Sequence, residues 1–181
     1  MRQTKKLTLS AMVVALGTLF MVLGAVIEVL DLTAVALASA LVAFVYIEIG
    51  SPYTWLVWLC TSLMTFLLYQ QSTMWFIYFV LFGIFPILKG YIERLSRIFW
   101  WPIKLVFANI AFAIMIFGVT FITGLPFINP EESLFGIKGT ALYVATWMLF
   151  NVAFIVYDFF ITVMVRFYIE KLRPRLRKIL K

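Results

Sequence analysis

Six long apolar stretches divide this chain, and its basic residues cluster at every second junction between them. Among the 15 Lys and Arg residues, only Lys138 lies at a junction of the opposite set. Because positively charged flanks stay in the cytoplasm during membrane insertion, this pattern predicts a protein with both termini inside. The clusters are Arg2, Lys5 and Lys6; Lys89, Arg94, Arg97 and Lys104; and Arg166, Lys171, Arg173, Arg175, Arg177, Lys178 and Lys181.

The composition places the apolar stretches in lipid. The chain is 65% hydrophobic and 13% charged, whereas a soluble domain is roughly half apolar and about a quarter charged. We therefore expect an all-α integral membrane protein of the cell membrane, a compact bundle of six transmembrane helices forming one domain over residues 1–181. The net charge of +7 lies beside apolar spans, which indicates contact with lipid headgroups rather than with nucleic acid.

About 20 apolar residues are needed for a helix to cross the hydrocarbon core. Pro86 should loosen the last turn of the fourth helix. Between the fourth and fifth helices, residues 87–104 carry apolar side chains at three- and four-residue spacing, which predicts a short amphipathic cytoplasmic helix on the membrane surface. Trp100 and Trp101 should anchor it at the interface. The predicted spans are 7–29, 32–49, 53–69, 73–88, 103–122 and 140–165.

Polar and aromatic side chains gather near the predicted outer ends of three helices. A small-molecule site typically combines aromatic walls with a few polar groups, so these residues are candidates for binding a solute. Two alternatives stay open for the neighbouring loop 123–139, which is either a lid or an ordinary connection. The alternative for most of the candidates is that they are interfacial residues with no specific role. They are Glu28, Asp31, Tyr69, Gln70, Gln71, Tyr143, Trp147 and Asn151.

Asp158 lies within the sixth span, where a charge needs a compensating partner. One interpretation places it in a cavity. The other, which we favour, is structural: a hydrogen bond between helices, or an ion pair with Arg166 or Lys104. Asn109 in the fifth span is expected to join helices by hydrogen bonding.

Several kinds of chemistry are missing from the chain. It has no His, and its one Cys, Cys60, can form neither an internal disulfide nor a thiol metal site. It has no phosphate-binding loop of the Gly-x-x-x-x-Gly-Lys-Ser/Thr type. We therefore expect no enzymatic activity, no cofactor and no metal site. An intramembrane protease would need a second carboxylate facing Asp158, and no motif supplies one.

Residues 7–17, Leu-Thr-Leu-Ser-Ala-Met-Val-Val-Ala-Leu-Gly, follow a basic N-terminus and open a chain of six spans with a basic tail. In this the chain resembles the S component, the substrate-binding membrane subunit of energy-coupling factor transporters. Ala11 and Ala15 match the Ala-x-x-x-Ala motif of that family's first helix. The resemblance implies capture of a small vitamin-like solute and docking, through Ala11 and Ala15, on a transmembrane coupling subunit driven by two ATPases. The alternative is a structural or assembly membrane protein that transports nothing.

Overall fold

The computed structural model describes residues 3–124 and 140–174. Within these residues the fold is entirely helical, and six helices are long and apolar enough to span a membrane. The predicted all-α fold with six candidate transmembrane helices is confirmed at this level. Most of the predicted lid 123–139, with Lys138, and the basic residues beyond Pro174 lie outside the described residues.

The helices belong to two units. The first comprises Met1–Tyr91 with Asp158–Lys181, and the second comprises Ile92–Tyr157. One domain was expected from the sequence because the length of the chain suits one.

The first three helices of the first unit pack through small side chains. Helix α1 spans Gln3–Val26, α2 spans Asp31–Glu48 and α3 spans Ser51–Leu68, with a 3₁₀ turn at Glu28–Leu30 between α1 and α2. Gly24 of α1 lies directly against Ala34 of α2. A methyl group added at Gly17 would lie 3.3 Å from Thr61 Cγ2 of α3. Small residues therefore bring these backbones close together, as dispersion-driven packing in lipid requires.

The connection between α2 and α3 is as short as the sequence predicted. Gly50 has a φ of 97°, a conformation that residues with a Cβ rarely adopt, and Pro52 occupies the first turn of α3. At the same end of the unit, Lys6 of α1 lies 5.7 Å from the ring centroid of Tyr53. The starts of α1 and α3 are thus neighbours, and the two helices run parallel.

The fourth span is interrupted. It consists of α4 (Met74–Ile77), a π-helical segment (Tyr78–Phe82) and α5 (Phe85–Ile92). Pro86 was predicted to loosen the last turn of this span, and this was wrong in position. The irregular turns precede Pro86, and α5 continues beyond it to Ile92. Proline has no N–H with which to bond the preceding turn, so the chain loosens on its N-terminal side.

The π segment is held by an aromatic side chain of α3. Trp58 Nε1 donates a hydrogen bond to the Phe79 carbonyl oxygen at 3.1 Å, and the two rings stack with centroids 4.7 Å apart. Gly83 lies directly against the Trp58 and Tyr78 rings. A side chain at Gly83 would occupy the space that these rings fill.

In the second unit, α6 spans Arg97–Thr123, and α7 (Thr140–Phe167) contributes its residues up to Tyr157. The fifth span was expected to start at Ile103, but α6 begins six residues earlier with Pro102 inside it. Segment 87–104 comprises the end of α5, a turn and the start of α6. Its placement on the membrane surface stays a prediction.

The last turns of the sixth span belong to the first unit and bind the end of α2. A second π segment covers Tyr168–Leu172. Tyr168 donates its hydroxyl proton to Glu48 Oε1 at 2.9 Å, and Arg173 Nε donates to the same oxygen at 2.8 Å. The Tyr168 ring also meets Phe44 edge-on, with centroids 4.9 Å apart.

Candidate functional site

An apolar groove of about 670 Å³ runs between α1 and α3. Its α1 wall includes the small side chains Ala11 and Ala15, and its α3 wall includes Leu56 and Cys60. The lining extends along α1 from Leu7 to Val22, about 22 Å at the rise of an α-helix. The groove therefore covers most of the depth of a hydrocarbon core.

The sequence contains further Ala-x-x-x-Ala pairs, among them Ala34–Ala38 of α2, and burial distinguishes that pair from Ala11–Ala15. Ala34 and Ala38 of α2 are 8% and 1% exposed and belong to the core. Ala11 and Ala15 are exposed on the surface of the described chain. Internal packing therefore accounts for Ala34 and Ala38, whereas Ala11 and Ala15 present a flat surface to whatever lies in the groove.

Ser10 and Thr18 also line this groove, but their hydroxyl oxygens are buried within the described chain. Ser10 and Thr18 are each 7% exposed, and neither hydroxyl has a hydrogen-bond partner within the part of the chain that the structure describes. Neither residue was predicted from the sequence. Both residues share one side of α1 with Ala11 and Ala15, and this spacing was the available signal. Serine and threonine are common in membrane helices, however, and a sequence does not show which of them are buried.

A second polar site lies where α5 meets α7. Lys89 and Asp158 form a salt bridge with side chains only 6% and 8% exposed. The predicted structural role of Asp158 is confirmed, but its partner is Lys89 rather than Arg166 or Lys104. Lys89 was expected to face lipid headgroups, whereas it is buried. A lysine at the boundary of a span has the sequence pattern of a positively charged flank. The sequence therefore did not indicate that the Lys89 side chain turns inward.

Lys104 is also buried, at 3% exposure, and belongs to the second unit. Its ammonium group donates to Glu93 Oε1 at 3.1 Å and lies 5.9 and 5.8 Å from the ring centroids of Trp100 and Trp101. Cation–π attraction and the ion pair together stabilise this charge.

The candidate solute-binding residues of the first unit occupy two helix junctions. Glu28 opens the 3₁₀ turn after α1, and Asp31 is the first residue of α2. Tyr69, Gln70 and Gln71 follow the end of α3. Since α1 and α3 run parallel, both junctions lie at the same end of this unit, opposite the start of α1. The groove extends toward this end but is lined by other residues.

Two candidates of the second unit bond to Asn109 of α6. Asn109 Nδ2 donates to Asn151 Oδ1 at 3.2 Å, and Trp147 Nε1 donates to Asn109 Oδ1. The structural role predicted for Asn109 is confirmed by these bonds between α6 and α7. Tyr143 lies one turn before Trp147, 37% exposed. A solute-binding role for these side chains stays a prediction.

Among the described residues, no group of three or more His, Cys, Asp or Glu side chains could hold a metal ion. The chain matches no protein-family model, no curated protein and no solved structure.

Proposed function

We propose that this protein is the substrate-capture subunit of an ATP-driven importer, an S component of the energy-coupling factor type. It captures a small vitamin-like solute and docks through α1 on a separate transmembrane coupling subunit, which two ATPase subunits drive. The observation that carries the proposal is the apolar groove in which Ala11 and Ala15 are exposed.

The proposed topology follows from the positive flanks. Both termini lie in the cytosol, and the protein is a multi-pass component of the cell membrane. Within the segment 87–104, the turn after α5 and the start of α6 lie at the cytoplasmic membrane surface, with Trp100 and Trp101 at the interface. The solute enters from the opposite side, where the α1–α2 and α3–α4 junctions carry Glu28, Asp31, Tyr69, Gln70 and Gln71.

The groove suits docking because its wall is both small and apolar. Side chains no larger than a methyl group let two helix backbones approach closely, and close approach replaces the hydrophobic drive that is missing in lipid. A contact made by methyl groups also lacks interlocking side chains. The docked partner can therefore slide along α1 while the bundle reorients.

The test replaces Ala11 or Ala15 with Trp and measures solute uptake in cells, together with the ATPase and coupling subunits that co-purify from native membranes. We expect both Ala11→Trp and Ala15→Trp to abolish the complex and uptake while solute binding to the isolated subunit persists. Met12→Trp is the matched control, because Met12 is 64% exposed on the same helix and does not line the groove. Uptake with an intact complex in both Ala variants would refute the proposal.

The alternative, a structural or assembly protein without a solute, is favoured by one observation. Trp147 and Asn151, two of the proposed solute-binding residues, already bond to Asn109. Mass spectrometry of small molecules that co-purify with the protein separates the two functions. A specific bound solute supports transport, and its absence from a complex that retains its protein partners supports assembly.

A further inference from the structure

We infer that, in the subunit without its partner, the groove between α1 and α3 holds one acyl chain of an anionic phospholipid, and that Lys6 binds the phosphate of that lipid. A helix docked on Ala11 and Ala15 would take the same volume, so the lipid must leave when the coupling subunit docks. The lipid site stands independently of the proposed docking, and only the release of the lipid rests on that function.

The shape of the groove suits a single hydrocarbon chain. Its lining follows two parallel helices, from Leu7 and Tyr53 at one end to Val22 and Leu68 at the other. The surface that faces the groove is almost wholly apolar. An occupant therefore needs no hydrogen-bonding group along the length of the groove.

The length of an acyl chain matches the part of the groove with the smallest side chains. Lining atoms without neighbours lose dispersion contacts, so a bilayer favours filling such a concavity. The hydrocarbon core is about 30 Å thick, which gives the chains of one leaflet about 15 Å, or about ten residues of a helix. From Leu7 this distance reaches past Ala15, and from Tyr53 it reaches past Cys60.

A positive charge lies at the Leu7 and Tyr53 end of the groove. The Lys6 ammonium group is 5.7 Å from the centroid of the Tyr53 ring. Among the described residues, this ammonium group forms no ion pair and the Tyr53 hydroxyl group forms no hydrogen bond. Glu48, which ends α2 at the same end of the unit, is bound by Arg173. This end of the groove thus offers a cation and a hydroxyl proton to an anion.

An anionic phospholipid satisfies both halves of the site at once. Its acyl chain fills the apolar volume, while its phosphate accepts charge-assisted hydrogen bonds from Lys6 and Tyr53. The Lys6 stem can lie along apolar surface while its charge reaches the headgroup layer. Phosphatidylcholine carries an ammonium group of its own beside the phosphate, so Lys6 favours a lipid such as phosphatidylglycerol, which has none.

The experiment uses the purified subunit, without the coupling subunit, in vesicles of equimolar phosphatidylglycerol and phosphatidylcholine. A small diazirine-bearing amino acid replaces Leu56, which lines the groove and is 54% exposed. Leu59 of the same helix is the control position, because it is 40% exposed but lies outside the groove. After irradiation, mass spectrometry measures the adducts with each lipid. Both leaflets have the same composition, so the orientation of the protein in the vesicle does not affect the result.

The ratio of phosphatidylglycerol to phosphatidylcholine adducts should be about fivefold higher at position 56 than at position 59. This is the contribution expected of one lysine near an anionic membrane surface. Lys6→Gln should abolish the difference, and Lys6→Arg should retain it. Lys5→Gln removes the same charge about 100° around α1, and it should keep most of the difference.

The apolar half of the site has its own variant. Ala15→Leu narrows the groove, so the total yield of lipid adducts should fall at position 56 and stay unchanged at position 59. Thermal unfolding of each variant in the same vesicles verifies that the fold is retained.

Three results would overturn the inference. Equal adduct ratios at positions 56 and 59 would indicate ordinary boundary lipid. An effect of Lys5→Gln as large as that of Lys6→Gln would indicate general surface charge. Adducts at position 56 only with a second copy of this chain would assign the groove to a dimer.

The purified complex with the coupling subunit separates this inference from the proposed function. Docking on the groove should remove the lipid adducts at position 56. If the phosphatidylglycerol preference is present in the isolated subunit and persists in the complex, the lipid site stands and the proposed docking on this groove fails. If the preference is absent and Ala11→Trp still abolishes the complex, the lipid inference fails while the proposed function stands.

Discussion

Lys89 on α5 and Asp158 on α7 form an ion pair in the interior of the first unit. The ammonium group of Lys89 also donates to the Asp158 carbonyl oxygen at 3.3 Å and to Thr162 Oγ1 at 2.8 Å. One turn of α7 thus offers three acceptors to the three protons of Lys89. Because charges in lipid-embedded segments are costly unless paired, this arrangement joins α5 to α7 and fixes their relative rotation.

Removing one member of this pair should be more harmful than removing both. Lys89→Met leaves Asp158 buried without its counter-charge, and an uncompensated buried charge costs about 3–5 kcal/mol. We expect Lys89→Met to lower the free energy of unfolding by about that amount. Denaturant unfolding of the purified protein in detergent micelles measures the change.

The control for that prediction is Lys89→Met combined with Asp158→Leu. Apolar replacement of a whole buried pair is often neutral or stabilising, so the double variant should recover most of the stability lost in Lys89→Met. If the single and double variants are equally unstable, α5 and α7 are joined by shape rather than by charge, and our account of the pair is wrong.

The class of fold could be predicted from the sequence because the hydropathy of the six apolar stretches requires membrane-spanning segments. Each span contains enough apolar residues to cross lipid, and backbone groups in lipid must bond within the helix. The Gly50 turn was also predictable, since a Gly-Ser-Pro connection between two apolar runs is long enough only for a tight turn. Asn109 was identified because an amide inside an apolar helix has few uses other than bonding a neighbouring helix.

The rest depended on helix rotation and burial, which composition does not encode. Lys89 lies at the end of a span, where a lysine can either reach the headgroups or turn inward, and only the position of Asp158 decides between them. The predicted start of the fifth span at Ile103 was six residues late, because residues 97–102 were assigned to the amphipathic segment 87–104, whereas they open α6 with Pro102 inside it. The exposure of Ala11 and the burial of Ala38 follow from packing that no sequence spacing reveals.

Asn109 should stabilise the second unit through its bonds to α7. Asn109→Leu removes the hydrogen bonds to Asn151 and Trp147 while nearly conserving volume. Interhelical hydrogen bonds in membranes contribute about 0.6 kcal/mol, and up to about 1.7 kcal/mol. We therefore expect a loss of about 1–2 kcal/mol in the free energy of unfolding.

Thr120→Val is the control for the Asn109 substitution. The Thr120 hydroxyl bonds to the Ile116 carbonyl oxygen of its own helix at 2.7 Å, so its loss should change stability less than Asn109→Leu does. Equal effects of the two substitutions would show that Asn109 does not join α6 to α7.

The π segment of the fourth span should be sensitive to the size of residue 83. A Cβ atom at this position would collide with the Trp58 and Tyr78 rings, and overpacking typically costs about 1–3 kcal/mol. Gly83→Ala should therefore destabilise the protein and displace Trp58 from the Phe79 carbonyl oxygen. A change in tryptophan fluorescence together with a lowered unfolding midpoint measures both effects.

Gly17→Ala is the comparison for Gly83→Ala. Its Cβ would lie 3.3 Å from Thr61 Cγ2 and 4.0 Å from Leu41 Cδ1, so Thr61 would have to shift by only a few tenths of an ångström, less than the rings at Gly83. We expect a smaller loss of stability than at Gly83. If Gly17→Ala is the more harmful substitution, the tight contact that matters is the one between α1 and α3 rather than the Trp58 contact.

The proposed topology can be tested with single cysteines, since Cys60→Ser removes the chain's one native thiol. In that background Gln71→Cys lies at the α3–α4 junction and Ser96→Cys at the turn before α6, and both positions are exposed. With both termini inside, a membrane-impermeant maleimide added to intact cells should modify residue 71 and should reach residue 96 only after permeabilisation. The opposite pattern would place the α1–α2 and α3–α4 junctions in the cytosol. Solute capture from outside would then have to occur at the end of the first unit that holds Lys6 and Tyr53.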